Sequence, residues 1–542
     1  MTAVAGAEGS VIEVSSGQAA AVIRDGDIVA ITGNGGGMLE ADEIFAAIEE
    51  RFLTTGHPRD LVLVHALGVG DGKARGVNRF AHEGMVRRVI GGHWSWSPRM
   101  QRLARENRIE AFTLPSGVIS LVLRETGAKR PGLITRVGLD TFFDPRRGGG
   151  AANDAARAAP RLSEIVSLGG EEFIRYFPIR PDIAIVRGTY CDEQGNISCA
   201  EEAGDLDAHV VALSARNSGG RVLAQVREKR SGKNCLARLV QIPGVLVDQV
   251  VLAPDQPQTH AGGYEASLAG LPHAGKEPAR RFGGLAMPTG ARAVIARRAA
   301  NEILAGQSVN FGFGIPGGIA AVLSAQARLG DIWLTVEQGI HNGQLIDGAL
   351  FGAAAFPGAI MRSTDQFDFY SGGGVDVAFL GAGEVDAEGN VNVSRLGQDV
   401  VGPGGFVDIS QGAKAVVFCG TFETSGLAVQ VDNGHLAIER HGRIPKFIES
   451  VREVTFCGPA ARRHQKPVTY VTERAVFKLT EAGMTLVEIA PGIDLQRDVL
   501  DRMAFRPAIP PDLALMDPAC FAKDSAGAAA GKEPAETGAG HA

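Results

Sequence analysis

The chain has 542 residues, more than one compact core accommodates, so about two to four domains are expected. Its 45% hydrophobic and 21% charged residues are the balance of an ordered globular protein and exclude a disordered chain. A net charge of -7, with no Lys/Arg stripe interleaved with aromatics, argues against nucleic acid as a partner; with neither a signal peptide nor an apolar membrane span in view, a cytoplasmic location is expected.

The first clear element is Ile28-Val29-Ala30-Ile31, a β-branched run that empties into Gly33-Asn34-Gly35-Gly36-Gly37 and reads as a strand entering a turn. Ile44 to Phe52 then carries apolar residues at helical spacing, as does Ala291 to Leu304 further on. Alternation of such strands and helices predicts βαβ units around parallel sheets, so the expected class is α/β.

Three segments recur in the same order. Gly26 to Ile31 with its following glycines resembles Gly306 to Phe311 with Gly312 and Gly314. Asp60 to Gly72 lines up with Asp331 to Gly343, and the copies differ most at one position, Ala66 against Glu337. Asp182 to Asn196 matches Asp376 to Asn390 without a gap, each a strand followed by a Gly-Asn turn. Two related open α/β domains follow, at residues 10–275 and 286–521, with their boundary in the Gly/Pro-rich stretch from Pro254 to Pro288. The spacing from Gly26 to Asp182 is more than twice that from Gly306 to Asp376, so the first domain carries an inserted segment that includes Gly148 to Ala159. The Ala/Gly/Glu-rich tail at 524–542 reads as disordered.

Cys191, Cys199, Cys235, Cys419, Cys457 and Cys520 lie scattered without CxxC spacing or His partners. Neither a disulfide framework nor a metal site is expected from them.

Glu337 is a lone carboxylate after the apolar run Ile332 to Val336, at the carboxyl end of a predicted strand, where open α/β sheets bind ligands. Burying its charge costs several kcal/mol unless it is paired or functional. From position alone the plainer reading of such a residue is a strand-end Glu paired on the surface or capping a nearby helix. A third reading is an NAD-dependent dehydrogenase: Gly312-Phe313-Gly314-Ile315-Pro316-Gly317 has the GxGxxG form, and Glu337 stands where a ribose-binding acid would, although Pro316 occupies the turn into the helix.

The run Thr335 to Gly339, with Phe367 to Gly374, Gly389 to Ser394 and Gly402-Pro403-Gly404-Gly405-Phe406, resembles the second half of family I CoA transferases. Gly76 to Gly84 and Arg88 to Trp94 resemble the fused-chain acetate and propionate subgroup, and the likeness runs from about Gly26 to about Phe521, through Val471 to Phe477 and Ile489 to Asp494. The resemblance implies a CoA transferase for short-chain carboxylates, with Glu337 as the catalytic nucleophile passing through an acyl-glutamyl anhydride and a glutamyl-CoA thioester. It implies Gly404 and Gly405 as part of the oxyanion and CoA-binding loop, with Gly35, Gly36 and Gly37 facing them from the first domain. CoA is then a substrate, no tightly bound cofactor is needed, and a homo-oligomer, dimer or tetramer, is expected. An acyl-CoA hydrolase on the same scaffold is the alternative.

The chain departs from that pattern beside the nucleophile. Where the subgroup continues from Glu-x-Gly through Ile-Gly-Gly to a small residue and Pro, this sequence reads Ile340-His341-Asn342-Gly343-Gln344-Leu345, and Asn34 stands in the more usual Gly-Phe-Gly. Gln338, Gly339, His341 and Asn342 are therefore candidates for the acyl pocket, and a larger or more polar acyl group is expected. His93-Trp94-Ser95-Trp96 and Asp144-Pro145-Arg146-Arg147 are further features, the first an aromatic cluster for a ligand or a core, the second a loop able to meet a phosphate.

Overall fold

A computed structural model of the chain describes residues 12–231, 235–271 and 286–522. The expected tail at 524–542, and parts of both the predicted boundary stretch and the outer limits of the first domain, lie outside the described residues.

Two large sheets organise the molecule. In the first, eight strands run parallel in the order Ile12–Val14, Gln249–Leu252, Arg221–Lys229, Ile183–Cys191, Ile28–Ile31, Leu61–His65, Val86–Gly91 and Glu110–Thr113. Ile183–Cys191 is buried along its whole length, because helices cover both faces of a parallel sheet and a central strand needs no polar side. Its one charge, Arg187, is taken up by Glu202 and by the carbonyls of Gly37, Glu40 and Pro257.

In the second sheet the parallel strands are Trp333–Val336, Ser308–Phe311, Val377–Gly381, Ala415–Cys419 and Val468–Val471. Short antiparallel strands Ile340–His341 and Ala359–Ile360 continue it past Trp333–Val336, and Ala475–Thr480 and Gly483–Ile489 extend the opposite side.

The repeat is physical as well as textual. Asp182 accepts the Ile28 N–H at 2.9 Å, and Asp376 accepts the Ser308 N–H at 2.8 Å. In both Gly-Asn turns the aspartate takes the asparagine side chain, at 2.8 Å for Asn196 to Asp192 and 3.0 Å for Asn390 to Asp386. The asparagine oxygens then accept Gly244 N at 2.9 Å and Gly458 N at 3.0 Å. The left-handed turn residue between them, Gly195 at φ 78° and Gly389 at φ 81°, is glycine because a Cβ is disfavoured there.

The extra length of the first half extends its sheet by Val86–Gly91 and Glu110–Thr113, adds the helices Pro98–Arg105 and Ser116–Gly127, and folds a separate antiparallel sheet from Leu133–Thr135, Glu171–Tyr176 and Ser163–Leu168. Gly148 to Ala159 contains the short helix Asp154–Ala158, capped by Asn153. The two halves share one contiguous hydrophobic core, which runs from Ala30 and Ile119 to Phe367 and Phe406. Backbone bonds stitch them together: Trp94 N to Val401 O at 2.7 Å, Gly404 N to Gly92 O at 2.9 Å and Ser116 N to Gly404 O at 2.8 Å. Among the described residues no helix is long and apolar enough to cross a membrane.

Candidate active site

Glu337 stands immediately after strand Trp333–Val336, at the carboxyl end of the second sheet, where the halves meet. The strand beneath it is braced from the side: Asn310 Nδ2 donates to the Thr335 carbonyl at 3.0 Å and to Tyr370 Oη at 3.2 Å, and Tyr370 Oη reaches Thr335 Oγ1 at 3.3 Å. A buried hydroxyl-amide cluster of this kind fixes the strand end and so the direction of the next side chain.

The Glu337 carboxylate is held at both oxygens. Oε2 accepts the Gly405 N–H at 2.8 Å, and Oε1 accepts Gln338 Nε2 at 3.2 Å. Burial pushes the carboxyl above the usual carboxylate range, while these two donors pull against it. Gly405 has no room for a side chain, since a Cβ would stand 2.1 Å from Oε2. A Cβ on Gly404 would lie 3.8 Å from both Glu337 Oε1 and His93 Cδ2, so Glu337 of one half and His93 of the other flank the same glycine.

The three glycines of the first half play different parts. Where their Cβ atoms would stand, the nearest atoms are the Trp96 indole at 2.6 Å for Gly35, the Ala349 carbonyl at 2.1 Å for Gly36 and the His260 ring at 2.4 Å for Gly37. Gly36 thus lets the first-half loop close on the second half, and Gly35 beds an indole. The residue of this loop that reaches the surroundings of Glu337 is Asn34, whose Oδ1 accepts Gln338 Nε2 at 3.2 Å.

Gly339 is a close-approach position as well, because a Cβ there would meet the Met361 carbonyl at 2.0 Å. His341 and Asn342 are not brought to the carboxylate. The chain turns back after Gly339 and pairs His341 with Thr335, so His341 Nδ1 accepts the Trp333 indole N–H at 2.8 Å. Asn342 exchanges bonds with the backbone of Leu334, both at 2.9 Å. Both side chains hold the returning hairpin against strand Trp333–Val336. The aromatic cluster divides: Trp94 is buried in the core, whereas Trp96 lies against Gly35 and Gly68. Arg146 is committed to Asp144 at 2.8 Å and Glu172 at 2.9 Å, so it is not an open phosphate ligand.

Asp408 has no counterpart among the expected site residues. It lies in the first turn of helix Phe406–Gly412, is 1% exposed, and accepts the Gly117 N–H at 3.2 Å at the start of a first-half helix. Burial, with repulsion from Glu337 adding to it, pushes its carboxyl to about 8. Its only sequence signal is a carboxylate three residues beyond Gly405, on an otherwise apolar helix start.

The arrangement at the junction is a strand-end carboxylate met by a glycine N–H. The family model of coenzyme A transferase matches residues 14–253. The chain is 39% identical over 513 residues to acetate CoA-transferase YdiF of Escherichia coli (strain K12), covering 95% of this chain and 96% of that protein. It is 40% identical over 520 residues to caffeate CoA-transferase of Acetobacterium woodii, covering 94% and 97%. The crystal structure of the acyl-CoA transferase YdiF apoenzyme from Escherichia coli O157:H7 superposes with a TM-score of 0.89 at 39% identity, over 96% of this chain and 97% of that one. A second structure of that enzyme, a thioester complex with CoA, gives 0.88. The chain belongs to the coenzyme A transferase family, as a fused single-chain family I member. It is a CoA transferase with CoA as co-substrate, built from two α/β domains, and the comparisons lend nothing to the hydrolase or dehydrogenase readings.

Proposed function

We propose that this enzyme moves CoA from an acyl-CoA to a free short-chain carboxylate, acetate- or propionate-like or somewhat larger and more polar, with Glu337 as the covalent carrier. The observation that carries this reading is the Glu337 carboxylate at the domain junction, held by the Gly405 N–H at 2.8 Å. A Glu337 oxygen attacks the acyl carbonyl, the C–S bond breaks, and CoA leaves as thiolate, giving an acyl-glutamyl anhydride. The thiolate then attacks the glutamyl carbonyl, the bond from the glutamyl carbon to the bridging oxygen breaks, and the first acid departs as carboxylate with that oxygen, leaving glutamyl-CoA thioester. A second carboxylate runs these steps in reverse. Thioester is exchanged for thioester, so no ATP enters, but water must be kept from both intermediates. The shared apolar core around the junction, with Phe367 against Gly405, favours that exclusion.

The glycine N–H at position 405 serves the tetrahedral oxyanion formed on the glutamyl carbon, and Gly404 gives it access. The names of the two relatives, acetate and caffeate CoA-transferases, bracket the size of acid proposed. Asn34 and Gln338, rather than the residues after Gly339, supply the polarity near the nucleophile. We place the enzyme in the cytoplasm as a homo-oligomer, dimer or tetramer, which light scattering after size exclusion would measure.

Incubation with acetyl- or propionyl-CoA, borohydride reduction and digestion should give a modified peptide containing Glu337. CoA consumption that depends on added free acid identifies transfer, whereas consumption without it identifies hydrolysis. A wild-type enzyme that transfers CoA while Glu337 stays unmodified would sink the covalent role.

A further inference from the structure

Gln338 is 1% exposed, and its amide is locked in place from three sides. Nε2 donates to Glu337 Oε1 at 3.2 Å and to Asn34 Oδ1 at 3.2 Å, while Asn34 Nδ2 donates to the Phe351 carbonyl at 3.3 Å. On the remaining side Gly352 presses on the amide: a Cβ there would stand 2.4 Å from Gln338 Cδ. The polarity of this chain of amides is determined by its ends. Glu337 in its ionised form and the Phe351 carbonyl can only accept, so Gln338 must present its NH2 to Glu337, and Asn34 must present its oxygen to Gln338. Among the described residues Gln338 Oε1 is left buried without a partner, a cost that a purely structural glutamine has no reason to carry.

We propose that Gln338 is a further catalytic residue, whose side-chain amide is the second donor to charge that develops at the glutamyl carboxyl, on the oxygen that Gly405 does not reach, and that Asn34 of the other half is the positioning residue that aims it. The proposal rests on Glu337 being the covalent carrier. When the thiolate attacks the glutamyl carbonyl, negative charge gathers on the glutamyl oxygen that is not bonded to the acyl group. Gly405 N–H and Gln338 Nε2 reach different oxygens of Glu337, so with Gly405 on the oxyanion Gln338 faces the bridging oxygen, which takes up negative charge as it leaves with the first acid. Because Asn34 belongs to the first half, the second donor is aimed only when the halves are docked.

The test uses the full-length enzyme with acetyl-CoA and propionate. Gln338→Ala should lower kcat by about 10²-fold, the usual loss for one donor to charge that develops in the transition state, with KM for acyl-CoA changed by less than about twofold. Gln338→Met, which keeps the volume against Gly352 without a donor, should behave the same and replaces the alanine variant where that one fails to fold. Asn34→Ala should lower kcat by about tenfold, and the Asn34→Ala/Gln338→Ala double variant should be no slower than Gln338→Ala alone, since both act through one amide. A Gln338→Met kcat within about twofold of wild type overturns the catalytic role, and multiplicative losses in the double variant overturn the positioning role. Borohydride trapping separates this from the underlying reading. Failure to trap Glu337 in the wild type defeats the covalent carrier itself, whereas normal trapping with an unaffected Gln338 variant defeats only the second donor.

Discussion

Gly405 gives its N–H to Glu337 Oε2 at 2.8 Å, and a methyl group on Gly405 would fall 2.1 Å from that same oxygen. Donor and clearance are one requirement, met by a residue with a backbone and nothing else. Gly405→Ala is therefore expected to lower kcat by at least about 10²-fold, because the carboxylate must move off its donor. Steady-state kinetics measures the loss, and an unchanged far-UV circular dichroism spectrum shows that the fold survives.

Removing the Glu337 charge should separate function from stability. Glu337→Gln is expected to reduce transfer to background, while its thermal midpoint equals or exceeds that of the wild type, because a partly buried charge has been taken away. Substantial transfer by this variant would contradict the covalent role.

Burial holds the Glu337 carboxyl above its ordinary value of 4.5, and only the ionised form attacks. The acid limb of kcat/KM should accordingly fall at a higher pH than an exposed glutamate would give. A pH profile with the free enzyme tests the sign, and a limb at or below the ordinary value goes against it.

Asp408 carries a pH signature of its own. Its carboxyl is raised from 3.8 to about 8, so the native state holds a proton that the unfolded state has released over that interval. Stability from this group is fully present below pH 3.8 and is lost as pH rises through about 8. Denaturant titrations between these limits should show a smaller decline in Asp408→Asn than in wild type.

Gly36 and Gly26 share a left-handed backbone, with φ 75° and 80°, but only Gly36 meets another group, the Ala349 carbonyl at 2.1 Å from its would-be Cβ. Gly26→Ala should cost about 1–2 kcal/mol from backbone strain alone. Gly36→Ala should cost about 1–3 kcal/mol more and also loosen the junction of the halves. Chemical denaturation compares the two.

The parts of this molecule that were legible in the sequence are those fixed by local chemistry. The Asp-Gly-Asn turns carry their own hydrogen bonds within five residues, so their recurrence marks a duplicated fold. Glu337 is visible because a charge at the end of an apolar strand demands an explanation. Direction was harder to read. His341 and Asn342 are four and five residues past the nucleophile, yet the hairpin after Gly339 carries them back toward Trp333 and Leu334. Asn34 could not be paired with Gln338, 304 positions away, without knowing how the halves dock. Gly35, Gly36 and Gly37 read as one loop with one role, but three different neighbours determine why each lacks a side chain.

The strand end at Ala66 occupies the position in the repeat that Glu337 holds in the other half, and its carbonyl accepts the Ser116 hydroxyl at 2.6 Å. The molecule therefore contains its own reference measurement. A substitution at Ala66 reports on folding and docking alone, while the matching substitution at Glu337 reports on these plus chemistry. The difference between the two isolates what the carboxylate adds to a corner that both halves build.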